Sequence, residues 1–372
     1  MSLDAHIIAR RGSFGIDIPL RAESGSVVAL LGPNGSGKTT TIEAISGLLP
    51  LAAGHVRVAG RTWADGDSAL FPHQRSTGLV AAQHLLFPHL SAIENVAFGP
   101  RSRGMRRAPA RCRAQAELDA LGIGELAERR PSALSNGQAQ RTALARALAT
   151  DPDVLLLDEP LSALDPATRA EVRAGLAHRL ARFPGVTILV THDPLDALTL
   201  ADHLLFIDAG AVVQAGPPAE VVVRPRNTYV AQVVGLNLYA GSATGPDTVQ
   251  TALGPIVTQG HDHGGPSWVS FAPTAVALHR REPDGSPRNR WRCTVGSIEV
   301  LGQHARVRLA VPAADHASDH APAHASDHAF DHTDGASLTA EVTTASVAAL
   351  RLITGTEVWA TVKATEVSAY PA

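Results

Sequence analysis

The octapeptide Gly32-Pro33-Asn34-Gly35-Ser36-Gly37-Lys38-Thr39 constrains this chain more than any other stretch. It fits the pattern G-x-x-x-x-G-K-[ST] without a mismatch. The apolar run Val27-Val28-Ala29-Leu30-Leu31 before it reads as a strand buried on both faces. Residues 40–48 after it read as a helix ended by Gly47 or Pro50. Strand, glycine-rich loop and helix form the setting in which such a loop binds phosphate. Gly35 and Gly37 let the backbone curl so that successive N–H groups point inward. The helix N-terminus adds the positive end of its dipole. Gly32, Pro33, Asn34, Gly35, Ser36, Gly37, Lys38, Thr39 and Thr40 therefore read as a cradle for a nucleoside triphosphate. Within it Lys38 reaches the β- and γ-phosphates, and the Thr39 hydroxyl serves as a Mg²⁺ ligand. Lys38 is one of only two lysines in the chain, the other being Lys363. In a sequence that otherwise uses arginine, it is not background composition.

A chain of 372 residues exceeds one average domain, so two are expected. Up to residue 228 apolar runs alternate with helical patterns, which implies a largely parallel α/β sheet. Val154-Leu155-Leu156-Leu157 and Val186-Thr187-Ile188-Leu189-Val190 read as buried strands, and residues 75–82 as a strand ending at Gln83. Residues 84–150 turn helical and read as a subdomain. Leu204-Leu205-Phe206-Ile207 and Ala211-Val212-Val213 form a hairpin through Asp208-Ala209-Gly210. From residue 229 to 372 short strands and turn residues read as a small all-β, OB-like barrel. Residues 312–336 interrupt it with a low-complexity insert, in which His316, His320, His324, His328 and His332 recur every four residues. An exposed linker accounts for that tract; if helical, the spacing puts the histidines near one face, where Zn²⁺, Ni²⁺ or Cu²⁺ could bind weakly.

The net charge of −3 argues against a nucleic-acid surface as the main function. Cys112 and Cys293 lie far apart, without metal-type spacing, and fit a reducing compartment. No apolar run approaches 18 residues, so no membrane span is expected, and the N-terminus lacks a signal-peptide core.

Further elements follow the phosphate loop in a telling order. Asp158 and Glu159 close a buried strand, where Asp158 can hold Mg²⁺ and Glu159 can polarise an attacking water as general base. His192, just past the next buried strand, can contact the γ-phosphate. Gln83, at another strand end, can reach the Mg²⁺ and the water. Leu134-Ser135-Asn136-Gly137-Gln138 opens a helix, a second anion site. Taken singly, His192 reads as a structural histidine, Gln83 as a surface amide and Asp165-Pro166 as a helix start.

Jointly these residues resemble the ATP-binding subunits of ABC transporters, over residues 1–228. The resemblance implies a P-loop NTPase domain that hydrolyses ATP with Mg²⁺. It implies a head-to-tail homodimer, in which Ser135, Asn136, Gly137 and Gln138 of one subunit cap the ATP of the other. Asp165 then lies in a dimer loop, and Glu159, His192 and Gln83 serve catalysis. Asn136 departs from the family's Leu-Ser-Gly-Gly-Gln; Asn tolerates left-handed backbone, so only a weakening is expected. Phe14 is the one candidate for stacking on adenine. The far end resembles the molybdate- or tungstate-binding barrel found in molybdate-importer ATPases, through Ser286-Pro287-Arg288-Asn289, Thr294 to Ile298, the stretch 338–346 and Val358 to Thr365. By that similarity Ser286, Arg288, Asn289, Thr343, Ser346 and Lys363 are candidate oxyanion contacts. Neutral donors with a nearby positive charge suit a dianion, although the same residues could instead cap turns in a dimerising barrel.

The reading is the ATPase of a bacterial-type ABC importer for molybdate or a related oxyanion, at the cytoplasmic face of the membrane. Two permease subunits would dock near residues 85–95, with an extracytoplasmic substrate-binding protein acting indirectly. Related barrels leave ferric iron, sulfate, polyamine and sugar importers open. An exporter ATPase would leave the tail unexplained, and a non-transport ATPase usually pairs two ATPase domains in one chain.

Overall fold

The computed structural model describes residues 2–81, 85–285, 287–312 and 335–372. Gln83, Ser286 and the histidine tract lie outside the described residues. The chain divides into two compact units, Met1–Val221 and Val222–Ala372.

The first unit begins with β1 (Leu3–Arg11), β2 (Phe14–Ala22) and β3 (Val27–Leu31), followed by α1 (Lys38–Ser46). Next come β4 (Ala53–Val58), β5 (Arg61–Ala64) and β6 (Thr77–Val80). Helices α2 (Ala92–Ser102), α3 (Arg107–Ala120) and α4 (Asn136–Leu148) fill the middle. The unit continues through β7 (Val154–Asp158), α5 (Pro166–Leu180), β8 (Val186–Val190) and α6 (Pro194–Leu200). The hairpin β9 (His203–Asp208) and β10 (Ala211–Gly216) completes its sheet.

Ten strands among the described residues form one sheet, in the order β5-β4-β1-β2-β10-β9-β3-β8-β7-β6. From β9 through β6 neighbours run parallel, while β1, β2, β4 and β5 pair antiparallel. Strands β3, β7 and β8 are buried at every residue, as continuous apolar runs require in a sheet covered on both faces. Two apolar clusters follow. One packs Leu30, Ile42 and Ile45 against Ile7, Ile18 and Leu156. The other packs Val96, Ala114, Leu118 and Leu144 with Leu155 and Leu157 beneath the helical segment. The β9–β10 turn places Ala209 at φ 45 and Gly210 at φ 83, the paired left-handed residues of a tight hairpin.

Helix α7 (Pro218–Val223) spans the break between the units. The second unit opens with α8 (Thr228–Val234) and is otherwise nearly all β. One antiparallel sheet holds β11 (Asn237–Ala243), β12 (Thr248–Thr251), β13 (Gly254–Val257) and β14 (Gly265–Phe271). The other holds β15 (Ala277–His279), β16 (Asn289–Leu301), β17 (His304–Pro312), β18 (Gly335–Thr343) and β19 (Glu357–Val362). A short α9 (Thr344–Ala349) follows β18, and β20 (Ser368–Pro371) joins the first sheet beside β14. Val249, Val269, Phe271, Trp291, Val307, Leu338 and Val358 form the core that the sheets share.

Side chains stitch these sheets together. The Asn237 amide donates to Thr339 O at 2.9 Å and accepts from Thr339 N at 2.9 Å. The Asn289 amide accepts from Val257 N at 2.7 Å and donates to Val257 O at 2.8 Å. Trp291 Nε1 donates to Leu253 O at 3.0 Å. Buried amides that mimic a backbone partner satisfy strand-edge groups that water cannot reach.

Candidate nucleotide site

The parallel core brings the C-terminal ends of β3, β7 and β8 to one edge, where open α/β sheets bind ligands. β3 ends at the phosphate loop. Gly35 at φ 80 and Gly37 at φ 112 have left-handed backbones, and Gly37 is the cap from which α1 starts. A Cβ on Gly37 would lie 2.6 Å from Ile16 Cγ2 and 3.5 Å from Phe14 Cε1, so the Phe14 ring borders the loop. Lys38 is buried, and its Nζ donates to Gly32 O at 2.8 Å and Pro33 O at 2.7 Å. Burial pulls the Lys38 ammonium below the ordinary lysine range, while Glu159 and Asp158 push it back up. The Ser36 hydroxyl is buried without a hydrogen-bond partner.

Asp158 ends β7 and is buried; its Oδ2 accepts from Thr39 Oγ1 at 3.1 Å. Burial raises the Asp158 carboxyl above the carboxylate range, as does Glu159, while the Thr39 hydroxyl and Lys38 oppose the rise. A desolvated carboxylate beside a threonine hydroxyl is a hard-oxygen pair that fits Mg²⁺. Glu159 has φ 52, left-handed for a non-glycine residue, with its N–H bonded to Val190 O at 2.9 Å. Its Oε1 lies 2.5 Å from His192 Nε2. The sequence-derived Thr39, Asp158, Glu159 and His192 thus meet around the phosphate loop.

Behind His192, α6 is fixed by a buried cluster. Asp193 caps the helix through Leu195 N at 2.7 Å. Asp196 is buried and takes Arg169 at 2.6 Å and Arg173 at 2.5 Å from α5. This cluster was not visible in the sequence.

At the other anion end, Ser135 caps α4 in a reciprocal box: Gln138 N donates to Ser135 Oγ at 3.3 Å and Ser135 N to Gln138 Oε1 at 3.0 Å. Ser135 and Asn136 are exposed. Asn136 is the first residue of α4 and is not among the positive-φ residues. The expectation that Asn replaces glycine at a left-handed position is corrected, because an ordinary helical residue fits there. Gly137 is different: a Cβ on it would lie 2.8 Å from Leu164 Cδ2. Asp165 caps α5 by accepting from Thr168 N at 3.1 Å, and remains exposed.

Residues 85–91 fold around buried Asn95, whose amide bonds Phe87 N at 2.8 Å and Ser91 O at 3.0 Å. A hollow of about 320 Å³ opens beside them, lined by Leu79, Leu85, Phe87, Phe98 and Arg146. Leu85 is 60% exposed and Phe98 47%. Arg146 donates to Leu85 O at 2.7 Å, with its guanidinium 5.6 Å over the Phe87 ring.

In the second unit the described members of the expected oxyanion set do not converge within one chain. Asn289 is 2% exposed with both ends of its amide bonded to Val257, so its role is corrected from anion contact to sheet clip. Thr343 caps α9 through Ser346 N at 3.1 Å, with its hydroxyl 2.9 Å from Ser346 Oγ. Arg288 lies 3.5 Å from Asp247, and Lys363 is exposed. Asn289 pairs with Val362, which sets Arg288 and Lys363 at the start of β16, whereas Thr343 pairs with His304 near its end. Most of the length of β16 lies between the two groups along the sheet.

Comparisons with known proteins show which family the chain resembles. Residues 16–162 match the family model described as ABC transporter, and residues 330–369 match the TOBE domain. The molybdenum import ATP-binding protein ModC of Mycobacterium tuberculosis is 39% identical, over 96% of this chain and 94% of that protein. The ferric ion import ATP-binding protein FbpC of Streptomyces coelicolor is 36% identical, over 79% of this chain and 81% of that protein. The ATP-binding cassette MJ0796, solved as a dimer in a post-hydrolysis state with ADP and phosphate, matches with TM-score 0.51 at 27% identity. That match covers 59% of this chain and 99% of the cassette. The chain belongs to the ATP-binding subunits of the ABC transporter family.

Proposed function

We propose that this chain is the ATPase of an importer for molybdate or a closely related oxyanion. One observation carries the choice of cargo. The likeness to ModC extends through both units, over 96% of the chain, whereas the maltose importer subunit of Yersinia pestis matches over 59%. Ferric iron stands second, since FbpC relatives cover about four-fifths of the chain.

In this reading the phosphate loop and Lys38 hold the triphosphate, and Phe14 borders the adenine. Thr39 and Asp158 would hold Mg²⁺, with Gln83 as a further contact; the metal would offset phosphate charge. Glu159 takes a proton from the attacking water, and His192, paired to its carboxylate, orients that carboxylate and the γ-phosphate. Ser135 and the first N–H groups of α4 close over the nucleotide of a second copy, with Asp165 at the same seam. Two ATP are then buried in a homodimer that opens when they are hydrolysed. The hollow beside Leu85, Phe87 and Phe98 receives a permease subunit, and the chain sits peripherally at the cytoplasmic face of the membrane. No helix among the described residues is long and apolar enough to cross it.

The test is uptake of labelled molybdate by cells from which this chain has been deleted. Loss of uptake, restored by the wild-type chain and not by Glu159→Gln, is expected. Unchanged molybdate uptake with impaired ferric iron uptake would move the cargo to iron.

A further inference from the structure

We propose that Gln140 is a positioning residue that holds the backbone of Glu159 and thereby aims its carboxylate. This rests on the reading of Glu159 as general base. Gln140 lies in α4, four residues past Asn136, and is 1% exposed. Its Nε2 donates to Glu159 O at 2.8 Å, and its Oε1 accepts from Ala163 N at 3.2 Å. Ser162 Oγ, 3.5 Å from the same amide, also donates to Glu159 O, at 3.0 Å.

Glu159 needs such support. A left-handed conformation is costly for a non-glycine residue and persists only when its surroundings over-determine it. Here the N–H is fixed by Val190 O on β8, and the C=O by Gln140 from α4. With both peptide groups tied, the direction of the side chain is set, and the carboxylate meets His192. Gln140 also ties the loop after β7 to the helix whose first turn carries the second anion end. Gly137 adds to this tie, since any side chain there would strike Leu164. A shift of the start of α4 therefore reaches Glu159 of the same chain through one buried amide.

The experiment uses the full-length chain with two replacements. Gln140→Met keeps the length and loses both bonds, while Gln140→Glu keeps an acceptor toward Ala163 and loses the donor to Glu159. In both, kcat for ATP hydrolysis is expected to fall about 10- to 100-fold, the scale of a misplaced reacting group. KM and the Kd for ATP should stay within twofold of wild type. In a Glu159→Gln background, Gln140→Met should cause no further loss, because its effect passes through Glu159. A kcat within threefold of wild type in a variant that binds ATP normally would overturn the proposal. So would the same fold loss in both backgrounds, which marks a role in stability alone. If Gln140→Met does not yield folded protein, Gln140→Glu supplies the same readings. Full turnover in Glu159→Gln alone would overturn the base assignment and this proposal with it, and is read from that single variant.

Discussion

The nucleotide site of the first unit and the amide clips and helix cap of the second treat their polar side chains in opposite ways. In the first, groups distant in sequence gather at one sheet edge and stay partly unsatisfied: a desolvated Asp158, a left-handed Glu159 and a Ser36 hydroxyl without a partner. In the second, the polar groups are matched to backbone: Asn237 to Thr339, Asn289 to Val257, Thr343 to the start of α9. At the nucleotide site the unsatisfied groups are ones a ligand would complete, whereas the matched groups of the second unit tie strands and a helix start together. Polar residue type alone does not separate the cases; the bonds already made do.

The sharpest break would come at Glu159. Glu159→Gln should bind ATP with wild-type affinity and lose turnover by about 10³-fold, within the usual range for removing a general base. Steady-state hydrolysis paired with ATP titration checks both halves, and near-normal turnover would dissolve the contrast. Lys38→Ala should abolish measurable ATP binding by calorimetry, since the buried ammonium is the loop's own cation.

Asn289→Ala tests the matched side. It leaves a buried N–H and C=O of Val257 unpaired, a loss of about 2 kcal/mol or more. Three of the four tryptophans, Trp268, Trp291 and Trp359, lie in the second unit, so urea unfolding followed by fluorescence reports on it. ATP affinity should not change. A variant as stable as wild type that loses oxyanion binding would return Asn289 to the ligand set.

Asp158→Asn should abolish turnover and raise the melting temperature by a few degrees, at roughly 2–4 °C per kcal/mol relieved. The sign follows from the raised pKa of Asp158. As pH rises past the ordinary carboxylate value, the unfolded chain ionises first, so the folded state loses stability there and the deficit persists at neutral pH. The gain from Asn should therefore shrink as pH is lowered from 7 toward 4.5. A gain independent of pH would show that charge is not its origin. The smallest effect belongs to Asn136→Gly, which should change turnover less than threefold and cost under ~1 kcal/mol at a helix start.

The phosphate loop was legible because its residues are contiguous and their spacing is dictated by the phosphates. Asp158 and His192 were legible because buried parallel strands announce themselves as apolar runs, and their C-terminal ends share an edge. Gln140 was overlooked, although a signal was present. It sits at helical spacing with Ala143, Leu144 and Ala147, a polar residue on an otherwise apolar buried stripe. The clips of Asn237 and Asn289 reach across 102 and 32 residues, and no local pattern encodes such pairings. The Arg169–Asp196–Arg173 cluster was hidden because its members look like surface charge on α5 and α6.

Strand β6 lies at the margin of the large sheet and, among the described residues, is bonded to β7 alone. Mechanically, such a strand is a hinge leaf. The strand itself is held by one ladder of hydrogen bonds, whereas the strands at the centre are gripped on both sides; the segment beyond it is tied instead to α2 and α4 through Asn95 and Arg146. If the hollow receives a permease as proposed, force arriving there would meet β6 and then β7, which carries Asp158, before β3 and its phosphate loop, with β8 intervening.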